Sequence, residues 1–149
     1  MVSRRTSHYA AVEAPSTPGA VQRPLPLTIA AGGHKGMRLA AAHGQNWVTI
    51  GPTGNVPRTP DAVLEAVRAQ RDLLDAACAA AGRDAAELGK VLLWMPVEPV
   101  IESADQFDEM VAPYAALGFD QVVMHHPAQS GPFGGSVEAF ERIAARYAP

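Results

Sequence analysis

The sequence predicts an α/β fold built on parallel strands, and three observations point to it. Four short apolar runs are each followed by a stretch with helical spacing. Each run is continuous rather than alternating, the pattern of a parallel strand buried on both faces. The 13 glycines and 13 prolines among 149 residues cluster between the runs, not inside them. Right-handed βαβ crossovers follow from that order. Four units leave two architectures open, a small sheet or part of a barrel.

Residues 1–26 carry no sustained periodicity. Pro15, Pro18, Pro24 and Pro26 forbid a regular helix there and favour extended backbone, so this segment is a surface arm. Residues 27–31, Leu-Thr-Ile-Ala-Ala, form the first strand, closed by Gly32 and Gly33. Helix formers fill 35–43, and Gly44 stands where a C′ glycine belongs. Residues 47–50 are the second strand, stopped by Gly51 and Pro52, with a turn-rich loop to Thr59.

Thr59 as N-cap, Pro60 at the first position and Asp61 in the first turn open a long helix. Val63, Val67, Leu74, Cys78 and Ala81 share one face of it, and Gly82 ends it. Residues 84–88 make a short extra turn, and 90–97 carry the third strand, closed by Pro96. Ser103 caps the next helix, with Phe107, Met110, Val111, Tyr114 and Leu117 at helical spacing and Gly118 past its end. Pro113 lies inside it and predicts a kink or a break. Residues 121–125 are the fourth strand. Ser136 caps a last amphipathic helix with Val137, Phe140, Ile143 and Ala144.

The composition excludes several classes. With 48% hydrophobic residues the chain is not a disordered tail, and no apolar window is long enough to span a membrane. The net charge of −3, without a run of like charges, argues against a nucleic-acid or anionic-membrane partner. The lone Cys78 excludes an internal disulfide and fits a reducing compartment. Arg4 and Arg5 are followed by no apolar run, so no export signal is read and a cytoplasmic location is expected.

The turn Ala31-Gly32-Gly33-His34-Lys35-Gly36 joins a strand end to a helix start. Two readings are open. Missing side chains let backbone N–H groups approach an anion such as phosphate, or a tight turn needs glycine for its dihedral angles alone. His125 and His126 leave the fourth strand at the end where parallel folds carry ligands. They are either pocket residues or polar loop residues. No metal site is expected, because no Asp, Glu or Cys lies at ligand spacing from them. Trp47 and Trp94 read as core or barrel-lining residues, Cys78 as an inert core thiol, and Glu65, Asp72, Asp75, Glu109 and Glu141 as solvated helix faces.

Three stretches together resemble the luciferase-like monooxygenase family of flavin- or deazaflavin-dependent oxidoreductases. Residues 21–33, VQRPLPLTIAAGG, followed by Met37-Arg38-Leu39-Ala40-Ala41, are similar to that family's apolar run into a glycine pair and an R-L-A-A helix. Gly44-Gln45-Asn46-Trp47 resembles its Ala-Asp-Gly-Trp, and residues 116–123, ALGFDQVV, resemble its LGFDEVV.

The resemblance implies the C-terminal half of a TIM-type barrel, units five to eight, with 1–26 as the arm before the fifth strand and 27–149 as four βα units. It implies FMN or coenzyme F-420 as cofactor, with Ala31, Gly32, Gly33 and His34 at its phosphate end and Thr49, Ile50 and Gly51 close by. His125 is added from its place after the fourth strand. The family's usual Pro after the glycine pair is His34 here, and its Asp-Gly is Gln45-Asn46. Its ring pocket and catalytic residues belong to the first half, so no catalytic residue is assigned and the chain alone is expected to be inactive. The expected partner is a second copy or a complementary N-terminal half; the alternative is a non-catalytic half-barrel or a truncated remnant. In a barrel, side chains such as Ile29, Val48, Leu93 or Val123 would face the interior, with parity open.

Overall fold

The structure is a computed structural model that describes residues 2–15, 18–52, 54, 57–94, 101–131 and 133–147. Two strands, β1 (Val2–Arg5) and β2 (Ala10–Ala14), pair antiparallel with each other. The first part of the arm thus carries a hairpin that its lack of apolar alternation did not announce, while the described part of the proline-bearing stretch after it has no strand. Then come β3 (Thr28–Ala30), α1 (His34–His43), β4 (Asn46–Thr49), α2 (Pro60–Ala80), a 3₁₀ turn (Ala85–Glu87), β5 (Gly89–Leu93), α3 (Ala104–Ala116), β6 (Gln121–Val123) and α4 (Val137–Tyr147). The expected end of the third strand, Met95 to Val97, lies outside the described residues.

β3 to β6 form one parallel sheet in sequential order, so each helix is a crossover between neighbouring strands. Register fixes which side chains share a face. Ile29 pairs with Trp47 and Trp47 with Lys90, while Thr49 pairs with Leu92 and Leu92 with Val122. These residues face the helices. The main core gathers Trp47 and Leu92 with Met37, Ala40, Val67, Leu74 and Cys78, and Ile29 and Val122 pack against it. A smaller cluster of Ala104, Phe107 and Ile143 closes the α3–α4 end.

The opposite face is open. Val48 and Leu93 are only half-buried there, Ala30 is exposed, and Val123 is 47% exposed. The expectation of burial on both faces therefore holds for the helix face and, on the other, for Val91 alone at 5% exposure, because among the described residues every helix packs on the first side. Of the four residues whose parity was open, Ile29 turns to the helices and Val48, Leu93 and Val123 to the open face.

The local signals act where they stand. Thr59 Oγ1 accepts from the Ala62 N–H with Pro60 at the helix start, Ser103 accepts from Gln106, and Gly82 and Gly118 take left-handed φ of 67° and 86°. Three expectations are corrected. Gly44 is extended (φ −78°) rather than left-handed; it is glycine for space, since a Cβ would lie 2.8 Å from the Ala40 carbonyl oxygen. α3 runs through Pro113 to Ala116, so of the kink or break expected there the break does not occur. Ala81, Val137 and Ala144, grouped by spacing with the apolar helix faces, are exposed.

Candidate functional site

β3 and β4 stop side by side, and their C-terminal ends carry the candidate site. Beyond β3, Ala31 is held twice. Its N–H donates to the Val48 carbonyl at 3.3 Å, and its own carbonyl accepts from Trp47 Nε1–H at 2.9 Å. Trp47 is thus a fully buried core residue whose one polar atom braces the turn.

Gly32 and Gly33 follow, neither with left-handed backbone; Gly33 has φ −138° and ψ 169°. The turn does not require glycine for its dihedral angles. A Cβ on Gly33 would meet nothing within 4 Å, and one on Gly32 would touch Gln70 Nε2 at 3.4 Å. Gly33 is the N-cap of α1 and no side chain caps that helix. The first in-helix bond runs from the Met37 N–H to the Gly33 carbonyl at 3.0 Å. The N–H groups ahead of it have no intrahelical acceptor. His34 and Lys35 stand exposed beside them. Gly36 is glycine by necessity, since a Cβ would come within 2.7 Å of the Ala31 Cβ.

After β4 the chain turns at Gly51, which is left-handed (φ 80°) and lies against α2, where a Cβ would be 3.0 Å from Val63 Cγ1. Ile50 is 39% exposed, whereas Thr49 is 4% exposed and faces the helices. The Thr49 hydroxyl donates to Gln70 Oε1 and accepts from the Gly51 N–H at 2.9 Å. Gln70 Nε2 donates to the Gly51 carbonyl at 3.0 Å. Arg58 clasps the same turn from outside, donating to the Ile50 carbonyl at 2.9 Å and the Pro52 carbonyl at 3.3 Å.

Ala31, Gly32, Gly33, His34, Thr49, Ile50 and Gly51 are therefore brought together; His125 is not. It lies beyond β6, the opposite edge strand, roughly 14 Å across the sheet at about 4.8 Å per strand. It is exposed, its ring 4.5 Å from that of Phe133, and His126 meets the Phe140 ring edge-on at 5.2 Å.

Gln70 and Arg58 were not singled out from sequence. For Gln70 a signal existed: a polar residue interrupts the buried stripe Val63, Val67, Leu74, Cys78. Arg58, in an irregular loop, gave none.

Burial pushes the Cys78 thiol above its ordinary value, more strongly than nearby Arg83 pulls it down, so it is an inert core group. Burial likewise raises the Tyr114 phenol, with Arg58 acting the other way. Among the described residues no cluster of His, Cys, Asp or Glu could hold a metal, and no helix is long and apolar enough to cross a membrane. A largely apolar groove of about 560 Å³ lies at the α3–α4 seam, lined by none of the residues of the glycine turn.

No curated protein matches the chain. The family model described as luciferase-like monooxygenase matches residues 2–143. A match over almost the whole length, on a sequentially ordered parallel sheet with a glycine turn at its strand ends, shows that the chain belongs to the luciferase-like monooxygenase family.

Proposed function

We propose that residues 27–149 are the C-terminal half of a luciferase-like oxidoreductase barrel, preceded by the 1–26 arm, and that they hold the phosphate end of FMN or coenzyme F-420 in the cytoplasm. One observation carries this reading: α1 begins without a side-chain cap, at the C-terminal end of a parallel strand, with open space where a Gly33 side chain would be. Uncapped N–H groups and the positive end of a helix dipole suit a phosphate. The bound cofactor would supply hydride transfer or flavin-mediated monooxygenation. The chain's own part is binding and orientation. Backbone at Gly32, Gly33 and His34 meets the phosphate, Ala31 and Gly51 fix the turns, Ile50 offers an apolar contact, and Thr49 acts from behind. His125 belongs to a more distant wall of the pocket.

The test is a titration with FMN and with riboflavin, which has the same ring and no phosphate. FMN should bind more tightly, and Gly33→Val should remove that preference while leaving the circular dichroism spectrum unchanged. Equal binding by wild type and variant removes this turn from the site. No acid or base is assigned, so the isolated chain should show no turnover above free cofactor; robust turnover lost on His125→Ala would move the catalytic centre into this half.

A second reading, a non-catalytic half-barrel that assembles with itself or with a separate N-terminal half, is favoured by the sheet edges at β3 and β6, unpaired among the described residues, and by the exposure of Ala30 and Val123 on the face away from the helices.

A further inference from the structure

Gln70 is 7% exposed and is the one polar residue among the buried positions of α2. An apolar side chain would fill that stripe with no polar group to satisfy, so the amide invites a reason. Its orientation follows from chemistry. The Gly51 carbonyl can only accept, so the amide nitrogen faces it, and Oε1 therefore faces Thr49, whose hydroxyl must donate. The same hydroxyl accepts from the Gly51 N–H, which closes a ring of three hydrogen bonds around the β4 turn. Nε2 also lies beneath Gly32, 3.4 Å from where its Cβ would be. A single buried amide thus hydrogen-bonds the segment leaving β4 and lies next to the one leaving β3, where a side chain at Gly32 would meet it.

We infer that Gln70 is a positioning residue, which sets the spacing between the Gly32–Gly33 turn and the Thr49–Gly51 turn and thereby the fit of a phosphate-ended cofactor. This rests on the reading of those turns as the phosphate site. Gln70 makes no contact with the ligand. Its amide holds the β4 turn by hydrogen bonds and occupies the space beside Gly32, so the β3 turn cannot move in toward α2 without meeting it. It also gives the buried Thr49 a role, because that hydroxyl reaches the site only through Gln70 and Gly51.

The experiment compares wild type with Gln70→Met, which keeps the length of the side chain and loses its hydrogen bonds. FMN and riboflavin are titrated into each protein, and amide hydrogen exchange is followed by NMR. The expected result is a roughly three- to tenfold loss of FMN affinity with riboflavin binding unchanged, and faster exchange at the Gly51 amide while α2 amides keep their protection. If the variant keeps the wild-type preference for FMN, or if FMN and riboflavin weaken equally, the positioning role is overturned and the phosphate reading stands. If wild type itself shows no preference for FMN, the phosphate reading falls and this inference falls with it. Should Gln70→Met fail to fold, Thr49→Val is read in the same way, with Thr49→Ser expected to restore both the FMN preference and the slow Gly51 exchange.

Discussion

Gly33 and Gly36 stand three residues apart and are glycine for opposite reasons. At Gly36 a Cβ would overlap the Ala31 Cβ at 2.7 Å, so the start of α1 rests directly on the strand end. Gly36→Ala should cost about 1–3 kcal/mol as an overpacked contact, read as a lower denaturation midpoint. Gly33 has room and extended backbone that any residue adopts. Gly33→Ser should supply the missing N-cap and stabilise the chain by a few tenths of a kcal/mol, yet weaken FMN binding, because its hydroxyl would take an N–H that a phosphate needs. A variant that binds FMN as tightly as wild type while melting higher would show that these N–H groups hold no ligand. The glycine pair was legible in the sequence as a candidate anion turn. Its distinction from a dihedral requirement was not, since only the backbone angles separate the two.

Among the elements, α3 and α4 meet through charges as well as through Phe107 and Ile143. Arg146 lies 2.8 Å from Asp105 and 2.6 Å from Asp108, and the Tyr147 hydroxyl donates to Asp108. The Tyr147 hydrogen bond first, and Arg146 second, hold the Asp108 carboxyl below its ordinary value of 3.8. A carboxylate depressed in the folded state stabilises above its unfolded value and loses that contribution as pH falls through the folded one. Thermal midpoints of wild type and Asp108→Asn should therefore differ near neutrality and converge as pH is lowered through and below 3.8. Parallel curves down to the acid limit would show that the contact contributes nothing. The group is exposed, so the effect should also shrink with salt. α2 teaches a related lesson. Its ends were readable from Thr59, Pro60, Asp61 and Gly82 because a cap acts within one turn. The meaning of Gln70 was not, because its partners Thr49 and Gly51 lie 21 and 19 residues away.

At the scale of the molecule, the sheet has, among the described residues, helices on one face and two unpaired edges. The chain exposes 9868 Å² for a mass of 15.7 kDa. A compact monomer of that mass exposes about 7300 Å². Expressed as these 149 residues, the protein should self-associate, or bind a dye specific for exposed apolar surface, in light scattering after size exclusion. A monodisperse monomer that binds no dye and melts cooperatively would sink the half-barrel reading and favour a self-sufficient sheet.

The sequence by itself determined the order of strands and helices, their caps, the class of fold and the family resemblance, because each is written within a few neighbouring residues or in a run of motifs. Tertiary structure alone decided which way the strands turn. Continuous apolar runs do not encode parity, so only pairing sends Ile29, Trp47 and Thr49 to the helices and Val48, Leu93 and Val123 to the open face. It also decided the hairpin in the arm, where Arg5 pairs with Ala10 without any apolar pattern, and the crowding that makes Gly44 a glycine. Above all it decided that the Thr49 hydroxyl turns toward α2 and bonds Gln70. Hydrogen bonds between groups far apart in sequence depend on where the helices dock, and docking is fixed by the packing of the whole core rather than by any local stretch of residues.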